Sequence, residues 1–167
     1  MNNSQIANSL NIKQDSGTDV NDVPDALARY PVVHRQPIHW GEMDAFSHLN
    51  NVVYYRYAES ARIAYLQALG MFDGDMVTVL AASSCQYLRP VTYPDTLLLG
   101  VRCQRLGTTS IVMEYSYYSS AQQAIVATAD AVVVRLDSQG ENKVPWTINE
   151  HARLQALEET VGHTPEM

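Results

Sequence analysis

Two cysteines, Cys85 and Cys103, are all that this 167-residue chain contains. They do not make a disulfide framework, and they suit a reducing cytoplasm. No apolar run is long enough to span a membrane. The N-terminal region lacks a basic segment followed by an apolar one, so no secretory leader is expected. There is no internal repeat and no Gly-rich phosphate loop. No His pair at helical spacing and no Cys pair stands in the chain, which excludes the common metal-ligand patterns. His34 and His39 therefore read as ordinary strand histidines. Positive charge is also scarce: eleven Lys and Arg stand against eighteen Asp and Glu, a net −7. That balance argues against nucleic acid as a partner.

The charge is unevenly spread. Residues 1–30 carry −2, residues 149–167 carry −3, and the remainder carries −2. More than half of the negative charge thus lies in the terminal regions. Local arginines such as Arg56, Arg89, Arg102 and Arg105 remain available to phosphates. With 46 % hydrophobic residues, the chain has enough apolar material for one sizeable core.

Residues 1–30 are rich in Asn, Asp, Ser and Gln without sustained period and read as a flexible tail. Within them, Asp22 to Arg29 has the makings of a short helix. Residues 31–160 read as a single domain, and 161–167 as a frayed end. Val32 to Trp40 is predicted as the first strand. A turn region with Gly74 spans Met71 to Met76. Strands follow over Thr78–Leu88, Thr96–Leu106, Ser110–Ser119 and Ala124–Leu136, separated by turn signals at Pro90, Pro94, Gly107 and Gly140. Short turns between four strands suggest an antiparallel meander. Asn149 to Glu159 is predicted as a short helix with Leu154 and Leu157 facing inward. Strand, long helix, four strands is an α+β order in which a sheet wraps one helix.

The chemistry concentrates between Trp40 and Gly70. Gly41 to Asn51 is a polar loop carrying Glu42, Asp44, Ser47, His48, Asn50 and Asn51. Val52 to Leu69 reads as one long helix, capped by Asn50 or Asn51 and stopped at Gly70. Its apolar residues are not confined to one stripe, which suggests a helix enclosed on most sides. A carboxylate, an imidazole and two amides thus meet the free N–H groups and positive dipole end of a helix start. Such a start can polarise a carbonyl and hold an oxyanion. On spacing alone, Asp44 is equally a reacting carboxylate or a loop residue capping backbone N–H groups. The Asn51 backbone N–H is the candidate oxyanion donor. His48 either orients substrate or holds the loop, and Asn50 either touches substrate or shapes the loop. Tyr54, Tyr55, Tyr57 and Tyr65 either line an acyl tunnel or fill core. Cys85, Ser83 and Ser84 lack the context of a nucleophile.

Asp44, His48, Asn50, Asn51 and Tyr54, with Glu59 and Arg62 beyond, form an Asp-x-x-x-His-x-Asn-Asn-x-x-Tyr pattern. This pattern resembles the acyl-CoA thioesterases of the hotdog fold, in their 4-hydroxybenzoyl-CoA thioesterase-like branch, over Pro31 to Asp137. The resemblance implies a five-stranded antiparallel sheet around the central helix, in order 1-3-4-5-2. It implies an acyl-CoA substrate, Asp44 as nucleophile or general base, and the Asn51 amide on the carbonyl. Glu59 is the alternative carboxylate, because another hotdog branch carries its acid on the helix; a Glu59–Arg62 helix pair is the plainer explanation. Arg89, Arg102 and Arg105 are candidates for the coenzyme's phosphates. The resemblance and the charge-poor second strand imply a homodimer or dimer of dimers through that strand as the working unit, and the expected location is cytoplasmic. A non-catalytic acyl-CoA-binding protein, an acyl-carrier-protein thioesterase and a hydratase are the competing functions. No metal or other cofactor is called for, so stripping divalent ions with a chelator should leave thioester turnover unchanged. Activity lost to the chelator and restored by a divalent ion would overturn that expectation.

Overall fold

The computed structural model describes residues 23–71 and 76–167. The expected turn about Gly74 and most of the expected N-terminal tail lie outside the described residues. Strands β1 (Val32–Pro37), β2 (Val77–Tyr87), β3 (Thr96–Leu106), β4 (Ser110–Ser119) and β5 (Ala124–Leu136) form one antiparallel sheet in order β1-β3-β4-β5-β2. Helices α1 (Asn51–Ala68) and α2 (Ile148–Glu159) complete the fold. This is the α+β hotdog arrangement that the resemblance implied. The expected meander holds only for β3, β4 and β5. Strand β2 joins the free side of β5, Ser84 opposite Asp130 and Tyr87 opposite Ala127, so it ends the sheet.

Helix α1 forms where its local signals place it. The Asn50 side chain accepts the Val52 N–H at 3.1 Å, a cap worth about 1 kcal/mol. Gly70 takes φ +63°, and its N–H reaches the Gln67 carbonyl at 2.8 Å while Met71 reaches Leu66 at 3.1 Å. A residue with a side chain enters this left-handed region only with strain. The helix is not enclosed on most sides, as its composition suggested. Val53, Tyr57, Ala58, Ala61, Tyr65 and Leu66 are buried, whereas Val52, Tyr55 and Ile63 are exposed. One curved sheet covers one face of a helix and leaves the other open.

Alternation along β3 sorts its side chains. Leu97, Leu99, Val101 and Cys103 join the core that includes α1, while Leu98 joins a smaller cluster with Leu27 and Tyr30. Residues 24–30 are therefore no tail. Asp25–Leu27 makes one turn of 3-10 helix, Leu27 and Tyr30 are buried, and the Tyr30 hydroxyl meets Glu114 at 2.7 Å and Ser116 at 2.6 Å. Gly100 makes room for this segment, since a Cβ there would come within 2.5 Å of the Tyr30 ring.

The far end is also docked rather than frayed. Glu166 donates its N–H to the Gln104 carbonyl at 2.9 Å and accepts that of Leu106 at 2.7 Å. Thr147 and Glu150 form a capping box at the start of α2. Leu154 is buried as expected; Leu157 is only half-buried, and the deeply buried neighbour is Glu158. Its Oε1 accepts the Tyr65 hydroxyl at 2.5 Å and the Cys103 N–H at 2.6 Å, while Oε2 is buried without a partner among the described residues. Burial pushes this carboxyl above its ordinary range, against the opposing pull of the Cys103 amide and Tyr65.

Gly100→Ala should therefore destabilise the protein by about 1–3 kcal/mol, the usual cost of forcing atoms into a filled space. Denaturant unfolding checks this; an unchanged midpoint would mean that residues 24–30 do not hold their place on the sheet.

Candidate functional site

The loop from Trp40 to Asn50 is built by short-range hydrogen bonds. Pro37 ends β1 earlier than the expected Trp40, and Trp40–Glu42 makes one 3-10 turn. Asp44 then closes a tight loop. Its N–H donates to the His48 carbonyl at 2.7 Å, and its carbonyl accepts the Ser47 N–H at 3.0 Å. Its Oδ1 accepts the N–H groups of Phe46 at 2.8 Å and His48 at 3.1 Å. Ser47 takes φ +62°, a conformation the loop imposes on a residue with a side chain. Leu49 ties the loop to the segment after β2 through the Val91 carbonyl at 2.8 Å.

The capping reading of Asp44 is thus present in the structure, but it occupies one oxygen only. Oδ2 has no hydrogen-bond partner among the described residues. Asp44 is half-buried and stands in the wall of two cavities. One, of about 280 Å³, is lined by Asp44, His48, Asn51, Tyr54, Tyr87 and Arg89, with Leu49, Leu88, Pro90 and Val91. The other, of about 360 Å³, is lined by Trp40, Gly41, Met43, Asp44, Ser47 and Tyr93.

Asn51 is the first residue of α1. Asn50 accepts the N–H groups of both Val52, on its side chain, and Val53, on its carbonyl, but no acceptor among the described residues takes that of Asn51. A free N–H at the positive end of an 18-residue helix can bind a carbonyl oxygen, and a carboxylate lining the same cavity can attack that carbonyl or activate a water to do so. Tyr54 forms the inner wall: it is buried, stacks edge-on to Tyr87 with ring centres 5.0 Å apart, and its carbonyl accepts the Tyr117 hydroxyl at 2.7 Å. Burial, with smaller contributions from Cys85 and Asp95, raises the Tyr54 hydroxyl to about 12, so it stays protonated as a donor. The Tyr87 hydroxyl reaches the Asn51 carbonyl at 3.3 Å.

The structure brings Asp44, His48, Asn51, Tyr54 and Arg89 to one cavity and leaves the other candidates outside it. Asn50 serves the helix as its cap. Glu59 is exposed, and no ion pair joins it to Arg62 among the described residues; Arg62 lies near the Tyr115 hydroxyl instead. The expected Glu59–Arg62 pair is therefore corrected. Arg102 faces away from α1, 2.8 Å from Glu114 and 5.6 Å from the centre of the Tyr30 ring, so its charge is already engaged. Arg105 is exposed next to the chain end that pairs with β3. Tyr57 and Tyr65 are core with their hydroxyls bonded to Glu42 and Glu158, not tunnel walls. Burial pushes the Cys85 thiol up, which disfavours the thiolate that a nucleophile needs. Among the described residues, no three of His, Cys, Asp and Glu group as metal ligands do.

The sequence does not mark Tyr87 and Leu88 as cavity walls, and it marks Glu42 as a loop residue without a role. Tyr87 and Leu88 line the cavity at the end of β2, where Tyr87 pairs with Ala127 and the Leu88 and Arg89 N–H groups still reach the Val126 carbonyl of β5 at 2.9 and 3.1 Å; the Arg89-Pro90 stop was the only signal. Glu42 accepts the His39 N–H at 2.8 Å and bonds to Arg56 and Tyr57. Burial alone would raise this carboxyl, but the Tyr57 hydroxyl, the His39 amide and Arg56 outweigh burial and hold it below its ordinary value.

Comparison with known proteins adds a second line of observation. A model of the Thioesterase-like superfamily matches residues 38–157. The uncharacterized protein YsmA of Bacillus subtilis is 30 % identical over 119 residues, spanning 70 % of this chain and 80 % of that one. A Thermus thermophilus thioesterase, crystallised with coenzyme A and Zn, superimposes with a TM-score of 0.70 at 31 % identity, over 78 % of this chain and 97 % of that one. The PA5185 protein of Pseudomonas aeruginosa gives a TM-score of 0.70 at 27 % identity, over 78 % and 94 % of the two chains.

Proposed function

Because the chain belongs to the Thioesterase-like superfamily, we propose that it is an acyl-CoA thioesterase, hydrolysing a thioester to a carboxylic acid and coenzyme A. Membership supports thioester hydrolysis as the reaction class. The observation that carries the reading is that Asp44, whose Oδ2 has no partner among the described residues, and Asn51, whose N–H has none among them either, line one cavity. The thioester carbonyl oxygen accepts from that N–H. Asp44 either attacks the carbonyl carbon, giving an anhydride that water cleaves, or takes a proton from the water that attacks. In the first route the C–S bond breaks as the anhydride forms, the coenzyme leaves as thiolate and is protonated by water, and hydrolysis of the anhydride frees the acid. In the second the tetrahedral intermediate breaks its C–S bond and the thiolate takes the proton that Asp44 removed from water. A backbone donor of this kind is worth roughly 3–4 kcal/mol in the transition state. His48 orients substrate or water at the cavity's rim, and Glu59, outside the cavity, is the alternative acid.

Coenzyme A as the carrier is supported by the Thermus thioesterase, which holds it, and by Arg89, an exposed cation in the cavity wall. Arg102 and Arg105 do not contribute to this reading. No helix among the described residues is long and apolar enough to cross a membrane, and both cysteines are free, which accords with work in the cytoplasm. The alternative, a protein that binds acyl-CoA without hydrolysing it, draws on the two backbone N–H groups already held by Asp44 Oδ1. An acyl-carrier-protein thioester would use the same machinery.

The working unit in this reading is a homodimer or dimer of dimers through β2. That strand ends the sheet, and Val79, Leu80, Tyr87 and Leu88 on or just beyond it are exposed. Bare apolar edges of this kind invite pairing, and an isologous pair sets Ser83 and Ser84 against the same region of the partner. The exposed Val52 and Tyr55 of α1 belong to the same side, since Tyr87 reaches Asn51.

A panel of acetyl-, octanoyl- and benzoyl-CoA with a free-thiol readout tests the activity. Asp44→Ala should lower kcat on the order of 10²–10⁴-fold, the scale for losing a positioned acid or base, with the fold intact. Glu59→Gln should keep most of the rate; the reverse pattern would transfer the role to Glu59. Ser84→Arg should break the dimer and the activity together. Light scattering that shows a fully active wild-type monomer would sink the shared site.

A further inference from the structure

Glu42 stands two residues before Asp44 and lines neither cavity. We propose that Glu42 is a positioning residue for hydrolysis, whose carboxylate locks the Asp44 loop to the first two turns of α1 and so aims Asp44 relative to the Asn51 amide. The inference rests on the reading of Asp44 as the reacting carboxylate.

One residue holds the loop at both of its ends. At the entry, the Glu42 Oε2 accepts the His39 N–H at 2.8 Å, and the Glu42 N–H donates to the His39 carbonyl at 3.0 Å. At the exit, the Glu42 carbonyl accepts the N–H of Asn50, the helix cap, at 2.9 Å. Across the gap, Oε1 accepts from the Arg56 guanidinium and Oε2 from the Tyr57 hydroxyl. His39 to Asn50 is the stretch that carries Asp44 and His48, and Arg56 and Tyr57 lie on the helix whose first N–H is the oxyanion donor.

The chemistry requires a carboxylate. Three donors converge on two oxygens, and an ionised carboxylate accepts all three. An amide in its place has one acceptor oxygen, and its NH₂ group would confront a donor, whether Arg56 or the His39–Tyr57 pair. The Glu42 side chain is only 12 % exposed, so water replaces a lost partner poorly. The clamp therefore tolerates little movement. A displacement of about 1 Å at a reacting group costs on the order of 10²-fold in rate.

The test compares kcat, KM and thermal midpoint for the wild type, Asp44→Ala, Glu42→Gln, the double variant and Tyr57→Phe on the best substrate of the acyl-CoA panel. Glu42→Gln should lower kcat on the order of 10–100-fold and leave KM within about twofold. The double variant should be no slower than Asp44→Ala alone, because the clamp acts through Asp44. Tyr57→Phe leaves His39 and Arg56 in place and should give a smaller kcat loss of the same kind. It also decides the question if Glu42→Gln does not fold. A wild-type kcat in either variant overturns the inference, as does a lowered midpoint with unchanged kcat per folded molecule, or losses that multiply in the double variant. If Asp44→Ala keeps its rate, the reading of Asp44 falls and the inference with it. If Asp44→Ala is inactive and Glu42→Gln is normal, the inference alone falls.

Discussion

The seating of α1 on the sheet is the constraint from which the rest of the structure follows. Val53, Tyr57, Ala61 and Tyr65 leave water together on one side of the helix, and the hydroxyls they carry in with them must find partners there. Tyr65 finds Glu158, Tyr57 finds Glu42, and Tyr117 of β4 finds the Tyr54 carbonyl. Each of these bonds fixes a different neighbour: the last helix, the loop before α1, and the centre of the sheet. The start of α1 is thereby held where the loop and the end of β2 meet, and the cavity around Asp44 and Asn51 exists because of that placement.

Most of the elements could be read in advance because their signals are local. Asn50 and Gly70 bound α1 through bonds to residues two to four positions away, and alternation with turn residues delimits β3, β4 and β5. The position of β2 was different. Pairing with β5 crosses more than forty residues of sequence, and only the family resemblance, not the turns, pointed to it. The docking of residues 24–30 was hidden because it depends on the absence of a side chain at Gly100, on another strand. A polar composition looked like a tail, yet Leu27 and Tyr30 decide the matter by burial.

The residues proposed to react were legible in the sequence, and their supports were not. Asp44, His48 and Asn51 stand within eight consecutive residues at a helix start, so their convergence needs no long-range information. Glu42 belongs to the same loop, but its partners sit on α1 fourteen and fifteen residues away, and its role depends on the angle between loop and helix. Arg102 is instructive in the opposite sense. The alternation that puts Val101 and Cys103 inward already puts Arg102 on the other face, away from any site at the helix start. Reading parity along β3 was enough to set it apart from Arg89.

Glu158, buried, gives the fold an opposite response to acid from that of the half-buried Glu42 and Glu114. Its raised value means that folding takes up a proton here between the ordinary carboxyl range and the raised one. This contribution is fully present below the ordinary value and is lost as pH rises through the raised one. Glu42 and Glu114 have lowered values, so the stability they supply is present above the ordinary range and is lost as pH falls. A rise of pH through the raised Glu158 value therefore loosens the anchor of α2 to β3, while a fall through the lowered Glu42 and Glu114 values loosens the loop at Asp44 and the segment around Tyr30. Unfolding therefore releases a proton at Glu158 and takes protons up at Glu42 and Glu114, so proton exchange on unfolding carries opposite signs for the anchor of α2 and for the two carboxylates held by arginine.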